Sequence, residues 1–286
     1  MKNDLRWNIL ARKRQEVEIA RAYDTLSVFT GELLFIKGYF LGRYYPAEIF
    51  RDCSDVDVAV DHDAYGQILD SLGHRELTSL KIDLHSELRH LDSLDWDDIY
   101  ASSIEVEIEG RQIRTPCPED HVRIAAVHWL TDGGEYKHRL WDVYHLIDAN
   151  RSSFNWSRCL DVVSATRRRW IVCVIGLAAR YLGLDLSGTP IESEARNLPL
   201  WMTKRLEKEW ESDVRLVPLH SILRDRHRLW QQIRKRVPPN PIQATIDVEG
   251  SLDSNVRFHY QILSAMRRVV PSVGRITDVL RNHDRR

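Results

Sequence analysis

The segment Ser54-Asp55-Val56-Asp57-Val58-Ala59-Val60 constrains this chain more than any other stretch. Its strict alternation predicts a half-buried strand. Side chains two apart on a strand share a face, so Asp55 and Asp57 point one way while Val56, Val58 and Val60 point the other. Two neighbouring carboxylates repel each other unless something positive lies between them. A divalent cation meets that need, and hard oxygen ligands suit Mg²⁺. The plain alternative is an edge strand that shows solvated acids on its polar face.

The surrounding pattern builds outward from that strand. Residues 8–28 have helical period, Thr30-Gly31 breaks it, and Leu33-Leu34-Phe35-Ile36 is a short apolar run suited to a buried strand. Lys37-Gly38 ends the run, and residues 39–45 form a short helix stopped by Pro46. A helix over 63–72 is closed by Gly73. Lys81 to Leu88 alternates again, with Ile82, Leu84 and Leu88 toward a core and Asp83, His85 and Glu87 on the opposite face. Ile104–Ile108 and Arg111–Thr115 flank Glu109-Gly110 as a hairpin.

Beyond Pro116 the character changes. Pro118-Glu119-Asp120 starts a helix, and helical periods cover about 119–131, 137–149, 156–182, 199–210, 218–236 and 256–269. The simplest partition is an α+β domain over 1–115 and a helical domain over 116–286.

Composition narrows the function classes. A formal net charge of −1 gives no global field to recruit nucleic acid, so DNA is not an expected partner. The cysteines at 53, 117, 159 and 173 are too scattered for a zinc site or a disulfide framework and fit a reducing compartment. The charged N-terminus has no signal-peptide core, and the longest apolar runs are too short to span a bilayer. The expectation is a soluble, cytoplasmic protein.

Three pieces then line up: a buried strand running into Ile36-Lys37-Gly38-Tyr39, the strand with Asp55 and Asp57, and Asp83 in Ile82-Asp83-Leu84-His85. Together they resemble the nucleotidyltransferases of the DNA polymerase β superfamily. The stretch Lys37 to Pro46, followed by Arg51-Asp52-Cys53-Ser54-Asp55-Val56-Asp57, is similar to one branch in particular, the uncharacterised nucleotidyltransferase family. Asp83-Leu84-His85, His128 and Arg139-Leu140-Trp141-Asp142 support the likeness, which covers about residues 25–210.

The resemblance implies a polymerase β-like mixed sheet with flanking helices, followed by a helical C-terminal domain. It implies a two-metal, Mg²⁺- or Mn²⁺-dependent transfer of a nucleoside monophosphate from ATP or another nucleoside triphosphate to an acceptor hydroxyl, with release of pyrophosphate. Asp55, Asp57 and Asp83 would be the metal-binding catalytic carboxylates. Lys37, Gly38, Arg51 and Ser54 would bind the nucleotide. The turn departs from the common superfamily Gly-Ser, leaving phosphate contact to backbone N–H groups and to the Lys37 ammonium. Glu87 is the alternative third carboxylate if the strand register differs.

Other signals have two readings. His85 orients a carboxylate, touches substrate, or is merely solvated. His128, Arg139 and Asp142 line the cleft or form an interhelical polar cluster. His121 and His128 are seven apart on one helix, without an acid or cysteine at zinc-ligand spacing. The basic stretch Arg224 to Arg236, with Leu219, Ile222, Leu223, Trp230 and Ile233 at helical spacing, is an ordinary surface helix or an RNA contact. The tryptophans at 129, 141, 170, 201 and 210 are expected to fill core. The acceptor is a small molecule, a protein side chain or an RNA end. The rival functions are a toxin-type transferase acting on RNA or tRNA and a non-catalytic nucleotide-binding regulator.

Overall fold

The computed structural model describes residues 5–88, 94–214, 217 and 225–267. In chain order the elements are α1 (Leu5–Leu26), β1 (Leu34–Ile36), α2 (Gly38–Gly42), β2 (Val56–Val60), α3 (His62–Ser79), β3 (Ile82–Ser86), α4 (Trp96–Ala101), β4 (Ile104–Ile108) and β5 (Arg111–Thr115). After these come α5 (Pro118–Thr131), a 3₁₀ turn (Lys137–Arg139), α6 (Leu140–Ala149), α7 (Trp156–Leu160), α8 (Ala165–Leu182), α9 (Glu192–Arg196), α10 (Leu200–Trp210), α11 (Arg226–Arg236) and α12 (Pro241–Asp247). A helix over 258–267 closes the described chain.

The five strands form one mixed sheet in the order β3-β2-β1-β5-β4. β1 pairs antiparallel with β2 and parallel with β5, while β2 and β3 are parallel, joined by α3 as a crossover helix. The β4–β5 hairpin turns through Glu109 and Gly110, both at positive φ, as a two-residue hairpin turn requires. Asp61 starts α3 by accepting the Asp63 and Ala64 N–H groups at 2.8 and 2.9 Å.

Alternation divides the sheet's faces. Phe35, Val56, Val58, Val60, Ile82 and Ile113 pack on one side with Ile19, Ala22 and Leu26 of α1 and Ala64, Ile68 and Leu77 of α3. Leu34, Ile36 and Ala59 pack on the other with Ile99 of α4 and Ile124 of α5. Asp57, Asp83 and His85 belong to that second face, the one that α5 covers. The helical half has its own core around Trp129 and Trp170, with Trp201 and Trp210 packed at its edge.

Several boundaries differ from the sequence expectation. Gly73 (φ 70°) kinks α3 instead of ending it, and the helix runs on to Ser79. The expected helix over 156–182 is two helices, because Ser164 caps α8 by accepting the Arg167 N–H. β2 starts at Val56, so Asp55 lies in the turn before the strand. β3 ends at Ser86, where Glu87 takes a φ of 53°, and Leu88 consequently packs on the α5-side face and not beside Ile82. Residues 218–224, including Leu219, Ile222, Leu223 and Arg224, and residues 268–269 lie outside the described residues.

Two helices approach closely at Gly176, where a Cβ would sit 2.2 Å from the Ala195 carbonyl oxygen. Gly176→Ala is therefore expected to force α8 from α9 and cost about 1–3 kcal/mol. Chemical denaturation should show a lower midpoint with an unchanged slope.

Candidate active site

The site begins at the C-terminal end of β1. Ile36 pairs with Asp57 across the β1–β2 ladder, so the Lys37-Gly38 turn emerges beside that carboxylate. Lys37 has φ 54° and ψ −141° and Gly38 has φ 41°. Such a backbone costs a lysine on the order of 1–3 kcal/mol and persists only where the surroundings fix it. Two contacts do so here. The Lys37 N–H donates to His121 Nε2 at 3.1 Å, and its ammonium donates to Asp57 Oδ1 at 2.7 Å.

His121 comes from α5 and is fully buried. Burial, aided by the nearby Arg51 charge, pushes its pKa down to about 3, so the ring is neutral. With Nε2 accepting from Lys37, the ring proton sits on Nδ1, which has no hydrogen-bond partner among the described residues.

A second brace comes from α6. Arg51 donates through Nε and Nη2 to Asp142 at 2.6 and 2.9 Å, and through Nη1 to the Gly38 carbonyl at 3.1 Å. Tyr45 Oη donates to the same Asp142 carboxylate at 2.7 Å. Arg51 is thus committed to Asp142 and to the backbone of the turn. Asp142 carries that brace and presents no unpaired oxygen to the cleft.

Parallel pairing puts Asp57 opposite Asp83 and Ala59 opposite His85. The His85 ring leans back between the acids, with Nε2 3.0 Å from Asp57 Oδ1 and 3.3 Å from Asp83 Oδ2. One donor atom from each of the three side chains lies within 4.8 Å of the other two. Burial alone would raise the Asp57 pKa, but His85 and Lys37 outweigh it and hold the carboxylate below its usual range. The hydrogen bond from His85 likewise lowers Asp83, exceeding its partial desolvation. Burial would lower His85, yet its bonds to both acids prevail and its pKa is raised.

The two carboxylates differ in access. The Asp57 side chain is 11% exposed and Asp83 is 54% exposed. Asp55 is exposed in the preceding turn, where Ser54 Oγ donates to its Oδ1 at 3.0 Å, and it lies outside the Asp57–Asp83–His85 group. Glu87 is exposed beyond the strand end and is not in that group either. Two oxygens and one nitrogen converging at this spacing suit a divalent cation.

A cleft of about 650 Å³ opens over these residues. Lys37, Gly38, Asp55, Asp57 and Asp83 line its sheet side, and His128, His138, Arg139 and Trp141 line its helical side. Arg139 pairs with Asp132 and stacks over Tyr136, so it bears on the cleft as part of an ion pair. Burial, with the nearby Lys37 charge, lowers the His128 pKa.

A model of the family described as uncharacterised nucleotidyltransferase matches residues 1–183. The chain belongs to that family. Neither curated proteins nor solved structures provide a further match. The family assignment makes the protein a nucleotidyltransferase whose matched region extends from the sheet through α5, α6 and α8, and α5 and α6 are the helices that supply His121 and Asp142. No helix among its described residues is long and apolar enough to cross a membrane.

The basic stretch near 226–236 is partly consumed in structure. Lys235 is partly buried against Glu135 and Glu209 at 3.0 and 2.6 Å, and Arg236 donates to Gln232 Oε1 and to the Val217 carbonyl at 2.6 Å each. These contacts fasten α11 to the helical body.

Sequence reasoning missed His121 and the Arg51–Asp142 pairing, and it had His85 orienting a carboxylate without its contact to both acids. His85 was the accessible one, because it lies two residues after Asp83 on the same strand face.

Proposed function

We propose that this nucleotidyltransferase moves a nucleoside monophosphate from a nucleoside triphosphate to an acceptor hydroxyl and releases pyrophosphate, with Mg²⁺ or Mn²⁺ at the carboxylates. The observation that carries this reading is the meeting of Asp57 and Asp83 on paired strands beside a glycine turn, in a chain of this family.

In this reading the triphosphate lies along the Lys37-Gly38 turn. Gly38 lets the backbone approach the phosphates, and the Lys37 ammonium shifts from Asp57 toward their charge. Arg51 contributes by fixing the Gly38 carbonyl, and thereby the direction of the turn's N–H groups. Ser54 and Asp55 sit at the mouth, within reach of an entering nucleotide. Asp57 and Asp83 hold the divalent cation. When bound, that cation supplies charge neutralisation for the attacking and leaving oxygens of an in-line displacement. Asp83, open to the cleft, is the carboxylate placed to take the acceptor's proton. The helical wall of His128, His138, Arg139 and Trp141 faces the acceptor. The engagement of Lys235 and Arg236 within the protein favours a compact acceptor over an RNA held along α11.

The direct test is mass spectrometry of products after incubating the protein with the four nucleoside triphosphates, a divalent cation and cell extract. A mass increase of one nucleoside monophosphate on an acceptor, accompanied by pyrophosphate, is expected. Failure to detect either would overturn the reading. Lys37→Ala is expected to weaken triphosphate binding about ten- to a hundredfold, the worth of a lost charge-assisted contact. Isothermal titration would read that change, with thermal denaturation checking that the variant is folded.

A further inference from the structure

We propose that His85 is a direct metal ligand and gives the site a preference for Mn²⁺ over Mg²⁺. This rests on the carboxylate-bound cation of the proposed function and adds the nature of that cation.

The argument starts from spacing. Two donors about 2.1 Å from one ion are roughly 3.0 Å apart at an octahedral right angle and roughly 3.4 Å apart at a tetrahedral angle. His85 Nε2 lies 3.0 Å from Asp57 Oδ1 and 3.3 Å from Asp83 Oδ2. The imidazole nitrogen therefore already stands at ligand spacing from both carboxylates. Three donors on two hydrogen-bonded strands form a rigid triangle, since the β2–β3 register fixes all three Cα positions.

Charge points the same way. The Asp57 oxygen that faces His85 also accepts from the Lys37 ammonium at 2.7 Å, so a full positive charge already rests on that carboxylate oxygen. A divalent ion fits that position once Lys37 turns to the triphosphate. With the ion bound, His85 Nε2 contributes its lone pair and its proton passes to solvent.

The donor set then selects the ion. Mg²⁺ favours an all-oxygen octahedral shell and keeps several waters, whereas imidazole suits the transition metals. Mn²⁺ accepts carboxylate and imidazole together. A site built from Asp55, Asp57 and Asp83 alone would offer only oxygen. Bringing in His85 changes the chemistry of the first coordination sphere.

The test uses the full chain with the metal alone. Pulsed electron paramagnetic resonance of bound Mn²⁺ should show a directly coordinated ¹⁴N. That signal should vanish in His85→Gln and persist in His128→Gln. Loss of an outer-sphere partner already costs about 10–100-fold in metal affinity, so loss of this ligand should weaken Mn²⁺ by at least about tenfold. Mg²⁺ affinity, measured by competition, should fall much less, narrowing the Mn²⁺ to Mg²⁺ ratio. Mn²⁺ that binds without nitrogen coupling, or an equal loss of both ions in His85→Gln, would overturn the role of His85 while leaving the carboxylate site standing. If neither ion binds at millimolar concentration, with or without triphosphate, the carboxylate reading falls as well. The wild-type spectrum decides the nitrogen ligand even if a variant fails to fold.

Discussion

Asp57→Asn is expected to reduce nucleotidyl transfer about a thousandfold or more, equivalent to roughly 4 kcal/mol of transition-state stabilisation. Asp57 occupies the centre of the cluster. It is the less exposed of its two carboxylates and bonds to both Lys37 and His85. The amide keeps the shape and a hydrogen-bond acceptor for Lys37 but removes the charge on which a cation depends. The measurement is transfer from a labelled nucleoside triphosphate, with circular dichroism confirming the fold. Asp55→Asn provides the comparison: Asp55 is exposed in the turn and outside the three-donor group, so its loss should reduce the rate less. A fully active Asp57→Asn enzyme would rule out the chemistry proposed for this cleft.

The largest effect on stability is expected at Asp120. This aspartate is fully buried at the start of α5, where Oδ1 accepts from Arg123 and Oδ2 accepts from Arg158, each at 2.6 Å. Arg123 is also fully buried, and it reaches the Arg158 carbonyl. Arg158 further bonds to Cys117 Sγ at 3.2 Å and to Ser102. One carboxylate thus pairs with two guanidinium groups, one through each oxygen, and ties α5 and α7 to the end of α4. Asp120→Asn would leave two cations facing a neutral amide. Removal of one member of a buried ion pair typically costs about 3–5 kcal/mol, and a loss of that size is expected in denaturant titration. The cluster need not be a net gain over an apolar filling of the same volume; breaking it is what costs.

Much of the sheet was legible in the sequence, for physical reasons that vary by element. The β4–β5 hairpin has alternation on both arms and a glycine at the turn, so local chemistry alone defines it. Asp57 and Asp83 were legible because alternation assigns a face. The strand ends were less so: the Val56 start that leaves Asp55 outside and the positive φ at Glu87 are set by contacts with neighbouring strands. The short helices α4, α9 and α12 have too few turns to show a period. The break before α8 did have a local sign in the Ser164 cap, hidden inside a continuous apolar rhythm.

The braces around the turn lay beyond sequence reading. Arg51 and Asp142 are 91 residues apart, and Lys37 and His121 are 84 apart. Lys37, Arg51 and Asp142 stand out singly in the sequence, but nothing local shows which residue each will meet. Only the packing of α5 against the sheet and of α6 against α5 and α2 makes them partners.

Those braces affect how relatives of this chain can exchange parts. Pro116 looks like a natural seam, with strands before it and helices after it. Yet the turn on the first side keeps its shape through His121 and Asp142 on the second. A recombinant joined at that seam would inherit a Lys37-Gly38 turn from one parent and its supports from another. The exchangeable unit is therefore larger than the sheet and includes α5 and α6. Lineages of this fold should diversify by replacing the elements C-terminal to α8 while inheriting the rest as a block.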